Sequence, residues 1–239
     1  MKKKLAHYLP LALLAVTAGP SCDVIAQLEP KTLLEQPLPL TEAEIAKALK
    51  EALQLGIEDA VRQLSAEGGF WNDPDVVIPW PEESKAAKEG LQKIGFRNKV
   101  ETFEQQMNDA ASQATEEATS LFLDALSQMT VADARAILTG PENAATAYLQ
   151  ERTEERLRVQ FTPVIDHVMQ ETGVLVVWET LAQKYNSLPL ARPVPTNLVT
   201  YTTERALDGV FLKVAEKEKA IRTQPEEQVT ALLRRVFGQ

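Results

Sequence analysis

The chain has 239 residues, and its 34 acidic residues outnumber its 25 lysines and arginines, which gives a formal net charge of −9. Nucleic acid phosphates and anionic lipid headgroups repel so acidic a chain, and no basic stripe with interleaved aromatic residues offsets the charge, so nucleic acid is not expected as a partner. The single cysteine, Cys22, excludes an intramolecular disulfide and a cysteine-based metal cluster within one chain.

The first 26 residues have the pattern of a signal segment. Lysines at positions 2–4 precede an apolar run over residues 5–18, which is short for a membrane span. One interpretation is a cut after Ala26. The other is a lipoprotein-type cut before Cys22, which would leave that cysteine acylated and make it the chain's only attachment to a membrane. Both interpretations predict an exported protein, either periplasmic or anchored through Cys22.

A tether and the start of a helical domain are predicted next. Residues 27–40 contain three prolines that interrupt any periodicity, so they are expected to form an extended tether. The helical domain is predicted over residues 41–238. Its first helix is predicted over 41–66, where Thr41 and Glu44 have the spacing of a capping box. Gly56 lies inside this helix and predicts a bend or a close crossing by another helix.

Residues 70–81, with the sequence FWNDPDVVIPWP, are predicted to form an extended strap across the helices, because prolines close the short apolar run on both sides. The aromatic side chains expected to be partly buried are Phe70, Trp71 and Trp80. Three side chains of the calcium-ligand type also occur there, Asn72, Asp73 and Asp75. Their spacing lacks a full set of ligands, and Asn-Asp-Pro is common in turns, so neither a metal nor another cofactor is predicted.

A short helix is predicted over residues 82–94 and a long one over residues 98–128. Apolar residues recur every three or four positions along the long helix, and its middle is rich in alanine. Small side chains let a neighbouring helix approach closely, so this face is typical of helix packing rather than of a cofactor slot.

The central stretch of the chain, Met129 to Leu149, reads MTVADARAILTGPENAATAYL and contains two helix starts and one helix end. Thr130 and Asp133 form a variant of the capping box. Gly140 is predicted to end that helix in the left-handed conformation, and Pro141 to open the next one. Residues 139–143 are then either a binding loop or a helix–helix corner. No cluster of catalytic residue types lies beside them, which favours the corner.

This central stretch resembles the signature of a bacterial family known as domain of unknown function 4197. Three further stretches are similar to that family: residues 49–61 (LKEALQLGIEDAV), 72–81 (NDPDVVIPWP) and 202–211 (TTERALDGVF). The resemblance runs from about residue 40 to residue 238. It implies an exported, helical bacterial protein, and it supplies no catalytic residues that could be assigned to this chain.

The helix predicted over residues 144–172 carries the densest charge of the chain. Pro163 is predicted to break or kink it, with Thr162 capping the second piece. His167 and Glu171 lie one turn apart and could share a metal ion, but a metal site normally has more ligands than these two. A surface or half-buried histidine is therefore the favoured interpretation.

The C-terminal part is predicted to contain three more helices. The first two cover residues 174–185 and 198–222, and a second proline-rich strap over residues 187–196 separates them. Gly209 lies in the middle of the second of these helices and predicts close approach by another element. Pro225 is predicted to open a terminal helix.

The predicted fold is all-α, with one compact, bundle-like, multi-helix domain and two proline-rich extended straps. The favoured function is a non-enzymatic protein of the cell envelope that binds a protein partner or a ligand. No catalytic residue is assigned. The candidate binding residues are Trp71, Trp80, Gly140, Pro141, Asn143, Tyr148 and Tyr201.

Two alternative functions remain. The alanine-rich helix and three tryptophans, Trp71, Trp80 and Trp178, would suit an apolar small molecule or a lipid held between helices. A carboxylate-based enzyme would need two acidic groups that converge in one cleft and have opposed pKa shifts. The side chains considered for that chemistry are Glu116, Glu117, Asp124, Tyr148 and Tyr201.

Overall fold

The computed structural model describes residues 40–93, 95–186, 197–227 and 230–237, and within these ranges the chain forms nine α-helices and no strand. The helices are α1 (Glu42–Ser65), α2 (Lys85–Lys93), α3 (Arg97–Thr115), α4 (Ala118–Gln128), α5 (Val131–Thr139), α6 (Ala144–Glu171), α7 (Val174–Asn186), α8 (Leu198–Thr223) and α9 (Ala231–Phe237). The predicted all-α fold is confirmed. The signal segment with Cys22, residues 27–39 and the second strap over 187–196 lie outside the described residues.

Local sequence signals set the starts of α1 and α5. The Thr41 hydroxyl accepts from the Glu44 N–H at 3.2 Å, and the Glu44 carboxylate accepts from the Thr41 N–H at 2.8 Å. Thr130 and Asp133 make the same pair of bonds at 3.1 and 2.9 Å. Each pair satisfies two backbone donors that a helix start otherwise leaves unpaired, and both predicted capping boxes are confirmed.

The long helices α1, α3, α6 and α8 pack together around one core within the compact unit Leu40–Gln239. The alanine stripe of α3 and α4 is fully buried, because α3 contacts α1, α6 and α8. Burial of such apolar faces, rather than helix propensity, supplies most of the stability of helices in proteins. In the described residues, no helix combines the length and the apolar character needed to cross a lipid bilayer.

The prediction of one helix over residues 98–128 is wrong at its middle, since α3 ends at Thr115 and α4 begins at Ala118. Glu116 and Glu117 keep right-handed backbone angles, but their N–H groups donate to carbonyls three residues back, at 3.4 and 3.3 Å. The Thr115 hydroxyl donates to the Ala111 carbonyl at 2.8 Å. Thr153 makes the same bond to Leu149 within the continuous helix α6, so the Thr115 bond alone does not explain the interruption.

The prediction that Pro163 divides the next helix is also wrong, because α6 runs without interruption through that residue. Proline has no N–H, so the carbonyl of Val159 loses its helical donor. Both residues lie on the exposed face of α6, where water can hydrogen bond to that carbonyl. Thr162 does not cap a second helix, since its hydroxyl donates to the Arg158 carbonyl at 2.8 Å.

The ends of the later helices agree only in part with the prediction. Gly173 follows α6 with a φ of +70°, the left-handed conformation expected of a glycine after a helix. The terminal helix begins later than predicted. Pro225 opens only a 3-10 turn over Pro225–Glu227, and α9 begins at Ala231.

Residues 70–81, hereafter the strap, contain no helix and no strand and lie against α3 and α8. Their apolar side chains reach the core, with Phe70 fully buried and Trp80 only 2% exposed, which is deeper than predicted. A Cβ atom at Gly209 of α8 would lie 2.7 Å from Phe70 Cε1, so only glycine leaves room for that ring. A Cβ atom at Gly56 would lie 3.3 Å from Lys217 Cβ. Both predicted close approaches are confirmed.

Candidate functional site

The most promising groove contains Trp71, which is one of the predicted binding residues. The turn after α1 places it there, because Gly68 takes a φ of +72° and its carbonyl accepts from the Asn72 N–H at 2.8 Å. The half-buried indole then lies beside α3 in an open groove of about 660 Å³. The groove is lined by Ser65, Ala66, Glu67, Gly68, Trp71, Asn72, Gln105, Asp109, Ser112 and Gln113. We call it the Trp71 groove.

The polar lining of the Trp71 groove includes a perturbed carboxyl group. Burial raises the pKa of Asp109, and the negative charge of Glu67 raises it further. Ser112 beside it is buried, and its hydroxyl accepts from the Phe70 N–H at 3.4 Å. The groove therefore combines one aromatic face with hydroxyl, amide and carboxyl groups, so it can accept and donate several hydrogen bonds at once.

Replacing Asp109 by asparagine is expected to stabilise the protein at neutral pH. The raised pKa means that folding disfavours the ionised carboxylate, so stability is lost as the pH rises through the folded-state pKa. The gain should shrink at about pH 3, below the unfolded-state pKa of about 3.9, because Asp109 is then mostly protonated in both states. Urea denaturation of wild type and Asp109→Asn at both pH values measures the difference.

Asp124→Asn is a control whose effect on folding stability should have the opposite sign. A hydrogen bond from Arg156, 2.7 Å away, lowers the pKa of Asp124, so its ionised form favours folding above the unfolded-state pKa. This variant should be destabilised at neutral pH and approach wild type at low pH. A stability change in Asp109→Asn that is equal at both pH values would contradict the assigned burial effect.

Tyr201 lies in a second groove, which the strap and α8 form together. Its hydroxyl donates to the Pro79 carbonyl at 3.0 Å and so ties α8 to the strap. The groove has a volume of about 590 Å³ and also contains Val77, Glu204 and Leu212. In the strap, Asn108 of α3 already binds both the N–H and the carbonyl of Ile78. These two backbone groups of Ile78 are therefore not free to hydrogen bond to a strand of a binding partner.

Trp80 belongs to an aromatic cluster in the core. Its ring centroid lies 4.7 Å from that of Phe103 and 5.6 Å from that of Trp178, and Phe103 and Trp178 stack at 5.8 Å. Trp80 and Trp178 are 2% and 1% exposed. The neighbouring rings therefore occupy the aromatic faces that a ligand between the helices would need.

The predicted corner is held by two side chains of α8 that the sequence analysis did not single out. The Glu218 carboxylate is buried and accepts from the Ala145 and Thr146 N–H groups at 3.0 and 2.8 Å. It thereby caps the start of α6. Arg222 donates to Glu218 at 2.8 Å and to the carbonyl of Ile137 in α5 at 3.0 Å. These two side chains, the Glu218–Arg222 latch, fasten both arms of the corner to α8.

The corner residues themselves have structural roles. Gly140 has a φ of −83°, so the predicted left-handed conformation is wrong. Glycine is needed for space, because a Cβ atom there would lie 2.8 Å from the Ala136 carbonyl oxygen and 2.9 Å from Ala144 Cβ. Pro141 lies in the turn before α6, and its carbonyl accepts from the Ala144 N–H at 3.0 Å. Asn143 is the residue before α6, and its side chain makes no capping bond.

Tyr148 lies one turn into α6, and its hydroxyl is buried without a hydrogen-bond partner among the described residues. Burial raises its pKa, and the charge of Asp133 raises it further. The guanidinium of Arg152 lies over the ring, 5.1 Å from its centroid. A tyrosine in this setting keeps its proton at neutral pH.

The carboxylates considered for catalysis do not converge with the tyrosines. Glu116 and Glu117 are exposed in the turn between α3 and α4, and Asp124 forms an ion pair with Arg156. His167 Nε2 and Glu171 Oε1 lie 3.5 Å apart, and both side chains are about two-thirds exposed. In the described parts of the chain, no group of three or more metal-ligating side chains lies together.

One of the three side chains weighed as calcium ligands, that of Asp73, has other partners. The Asp73 carboxylate accepts from the Asp75 N–H at 3.0 Å and forms an ion pair with Lys213 at 2.7 Å. Lys213 is buried and also pairs with Glu216 at 2.9 Å. The ion pair between Asp73 and Lys213 therefore holds the first turn of the strap against α8.

The comparisons with other proteins agree with the resemblance seen in the sequence. No curated protein and no solved structure matches the chain. The model of one protein family, described as "Protein of unknown function (DUF4197)", matches residues 39–238. Since this match covers most of the chain, the protein belongs to the DUF4197 family.

Proposed function

We propose that the chain is an exported, non-enzymatic protein of the cell envelope that binds a neutral saccharide in the Trp71 groove. The observation that carries the proposal is the half-buried indole of Trp71 in an open groove whose other lining is mostly polar. An indole face packs against the C–H face of a sugar ring, while the sugar hydroxyls need donors and acceptors at the same time.

The chemistry around Trp71 fits such a ligand. The amides of Gln105 and Gln113 offer donors and acceptors from one face of α3, and the carboxyl groups of Glu67 and Asp109 accept from hydroxyls. The same two carboxyl groups repel anions, so an uncharged sugar is favoured over an acidic one. A volume of about 660 Å³ lies within the range of small-molecule sites.

The two alternative functions have less support. An apolar ligand between helices would need the faces of Trp80 or Trp178, and these pack against each other and against Phe103. Among the acids considered for an enzyme, Asp124 pairs with Arg156 on the surface, and Glu116 and Glu117 are exposed in the turn between α3 and α4, so these three do not converge in one cleft.

A titration with uncharged saccharides tests the proposal. Maltotriose and chitobiose are added to the purified chain from Gln27 onward, and the heat of binding is followed by calorimetry. Trp71→Ala is expected to weaken the binding of whichever sugar binds by about tenfold or more, because the variant removes the stacking face. The separate variant Gln105→Ala should also weaken sugar binding, because it removes a hydrogen-bonding amide from the groove.

Phe96→Ala is the matched control, since Phe96 is an exposed aromatic residue outside the groove, 41% accessible to solvent. This variant should bind the sugar as wild type does. The proposal fails if neither saccharide gives a saturable signal, or if Trp71→Ala binds with unchanged affinity.

Export is proposed from the pattern of residues 1–26, a positive start followed by a short apolar run. The intact mass of protein recovered from the native envelope fraction decides between the two cuts. A mass with acyl chains on Cys22 identifies a lipoprotein, whereas an unmodified chain that begins at Gln27 identifies a free periplasmic protein. An intact, uncut chain in the cytosol would contradict export.

A further inference from the structure

The Trp71 groove is lined by two carboxyl groups that come from different elements. Glu67 belongs to the turn after α1 and is exposed, whereas Asp109 lies on α3 and is half-buried. Their charges lie close enough for Glu67 to affect the ionisation of Asp109. Among the described residues, neither carboxyl group forms an ion pair with a base.

The two walls of the groove contain no base that could neutralise this charge. Residues 63–84 run from the end of α1 through the strap, and residues 100–117 form most of α3 and the turn after it. Each of these ranges has five acidic residues and no lysine, arginine or histidine. Along α3, the base nearest in sequence to Asp109 is Lys99, ten positions earlier. That spacing is about 15 Å along a helix axis, which exceeds the Debye length of about 8–10 Å at physiological salt.

Bases on the neighbouring elements have other partners. Arg62 precedes the groove on α1, but it lines a different groove and donates to Asp59. Lys213 reaches the strap from α8 and is paired with Asp73. Bases of α2 and α6, which also pack against α3, contact other side chains: Lys85 with Glu82, Lys88 with Glu104, Arg152 with Tyr148, Arg156 with Asp124 and Arg158 with Glu154.

The ionisation of Asp109 agrees with this uncompensated charge. Burial raises the pKa of the Asp109 carboxyl, and the negative charge of Glu67 raises it further, with no base acting in the opposite direction. An ammonium group within hydrogen-bonding distance would stabilise the ionised carboxylate, because opposite charges favour each other's charged forms. The groove therefore attracts cations and repels anions.

Ser112 gives the groove a hydrogen-bond donor. Its side chain lines the groove and is only 4% exposed. The hydroxyl oxygen accepts from the Phe70 N–H at 3.4 Å, but among the described residues the Ser112 O–H donates to no acceptor. A buried donor without an acceptor is costly, so this O–H is available to an oxygen atom of a ligand.

We propose that the saccharide bound in the Trp71 groove carries a protonated amine, which pairs with the carboxylates of Glu67 and Asp109. This inference rests on the saccharide binding proposed above and refines it. An uncharged sugar can still stack on Trp71, and the amine adds a charged contact. An ammonium has three donors, enough for both carboxylates, and hydrogen bonds between charged groups are about twice as strong as neutral ones.

A sugar amine fits the groove better than a simple amine or a metal ion does. An alkyl amine has no hydroxyl groups for the amides of Gln105 and Gln113 and no oxygen atom for the Ser112 O–H. It would also fill little of a groove of about 660 Å³. Two carboxylates are too few ligands for a calcium ion.

Calorimetry with a matched pair of disaccharides tests the proposal. β-1,4-linked diglucosamine has an amine on each ring where cellobiose has a hydroxyl, and the two sugars are otherwise the same. Both are titrated at about pH 6 into the chain from Gln27 onward, which contains the whole compact unit Leu40–Gln239. Diglucosamine is expected to bind about tenfold or more tightly. This preference should fall at about pH 9, because such an amine, like an α-amino group, titrates near about pH 8.

Variants of the two carboxyl groups test the pairing itself. Asp109→Asn and Glu67→Gln each remove one charge and keep the shape of the side chain. Each should lower the ratio of the two affinities by about threefold or more, and the double variant should bring the ratio close to one. Glu142→Gln removes one charge from the exposed corner outside the groove and should keep the wild-type ratio. Because both sugars are compared on the same variant, a loss of folded protein does not change the ratio.

The outcomes separate this inference from the saccharide proposal. Equal affinity for the two disaccharides, or an unchanged ratio in the double variant, would overturn the preference for an amine and leave saccharide binding in place. Equal affinity for diglucosamine and putrescine, a diamine without hydroxyls, would overturn the assignment to a sugar. Saturable binding of diglucosamine alone, lost in Trp71→Ala and in the double variant, would support the inference while overturning the binding of uncharged sugars. No binding of either disaccharide would overturn both.

Discussion

Replacing Glu218 by alanine is expected to lower the free energy of unfolding by about 3–5 kcal/mol, because breaking a buried ion pair leaves its partner charge uncompensated. Arg222 would keep a largely buried guanidinium, with a side chain 16% exposed, and would lose its carboxylate. The N–H groups of Ala145 and Thr146 would lose their acceptors at the start of α6. Urea denaturation should show a lower midpoint at an unchanged slope.

Asp208→Ala is the control for Glu218→Ala, since it removes a carboxylate of the same helix whose ion pair with Arg205 is exposed. Its cost should stay below about 1 kcal/mol, as is usual for surface pairs. Glu218→Gln keeps one acceptor and the side-chain length, so its loss should be intermediate. A cost for Glu218→Ala no larger than that for Asp208→Ala would show that the Glu218–Arg222 latch does not stabilise the fold.

Replacing Asn108 by alanine is expected to cost about 2–6 kcal/mol, because it leaves two buried backbone groups unpaired at about 1–3 kcal/mol each. The Asn108 side chain is fully buried and binds the Ile78 N–H and carbonyl at 2.7 and 3.0 Å. The strap should therefore loosen before the helices unfold. Faster hydrogen exchange at the Ile78 amide would report this local change, and a lower urea midpoint would report the global one.

Two variants separate the role of Asn108 from general effects on α3. Gln113→Ala removes an exposed amide from the same helix and should change stability by less than about 0.5 kcal/mol. Asn108→Asp preserves an acceptor for the Ile78 N–H but has no donor for its carbonyl, so it should be destabilised more at neutral than at low pH. Unchanged exchange at Ile78 in Asn108→Ala would refute the proposed tie to the strap.

Much of the fold could be predicted because the relevant signals are local. The bonds of Thr41 with Glu44 and of Thr130 with Asp133 span three residues, so spacing alone identifies both helix starts. Gly56 and Gly209 are unfavourable inside helices, and each has a close neighbour: Phe70 leaves no room for a Cβ atom at Gly209, and Lys217 would make a tight contact with one at Gly56. A residue that weakens its own helix therefore pointed correctly to a tertiary contact.

The errors in the fold arise where tertiary structure overrides local preference. At Pro163 the burial of the inner face of α6, which includes Leu157, Phe161 and Ile165, keeps the helix continuous despite one lost hydrogen bond. Gly140 is needed for its lack of a side chain and not for a left-handed backbone conformation. A Cβ atom at this position would lie 2.9 Å from Ala144 Cβ. The break between α3 and α4 has no glycine or proline, so no breaker residue could have indicated it.

The candidate site was predictable only in part. Trp71 and Tyr201 stood out as aromatic residues, and both line surface grooves. Asp109, Glu218 and Asn108 did not stand out, because their roles come from partners far away in the chain. Glu218 binds residues more than 70 positions earlier, and Asn108 binds a residue 30 positions earlier. Helical periodicity carries no information about such pairs.

The Glu218–Arg222 latch has a consequence for the order in which the chain can fold. The corner between α5 and α6 is synthesised before the groups that fasten it, which follow 85 residues after Ile137 in the case of Arg222. Helix α1 likewise packs against α8. The finished arrangement therefore cannot form until α8 has left the ribosome, so the core helices α1 and α6 remain without their main packing partner until then.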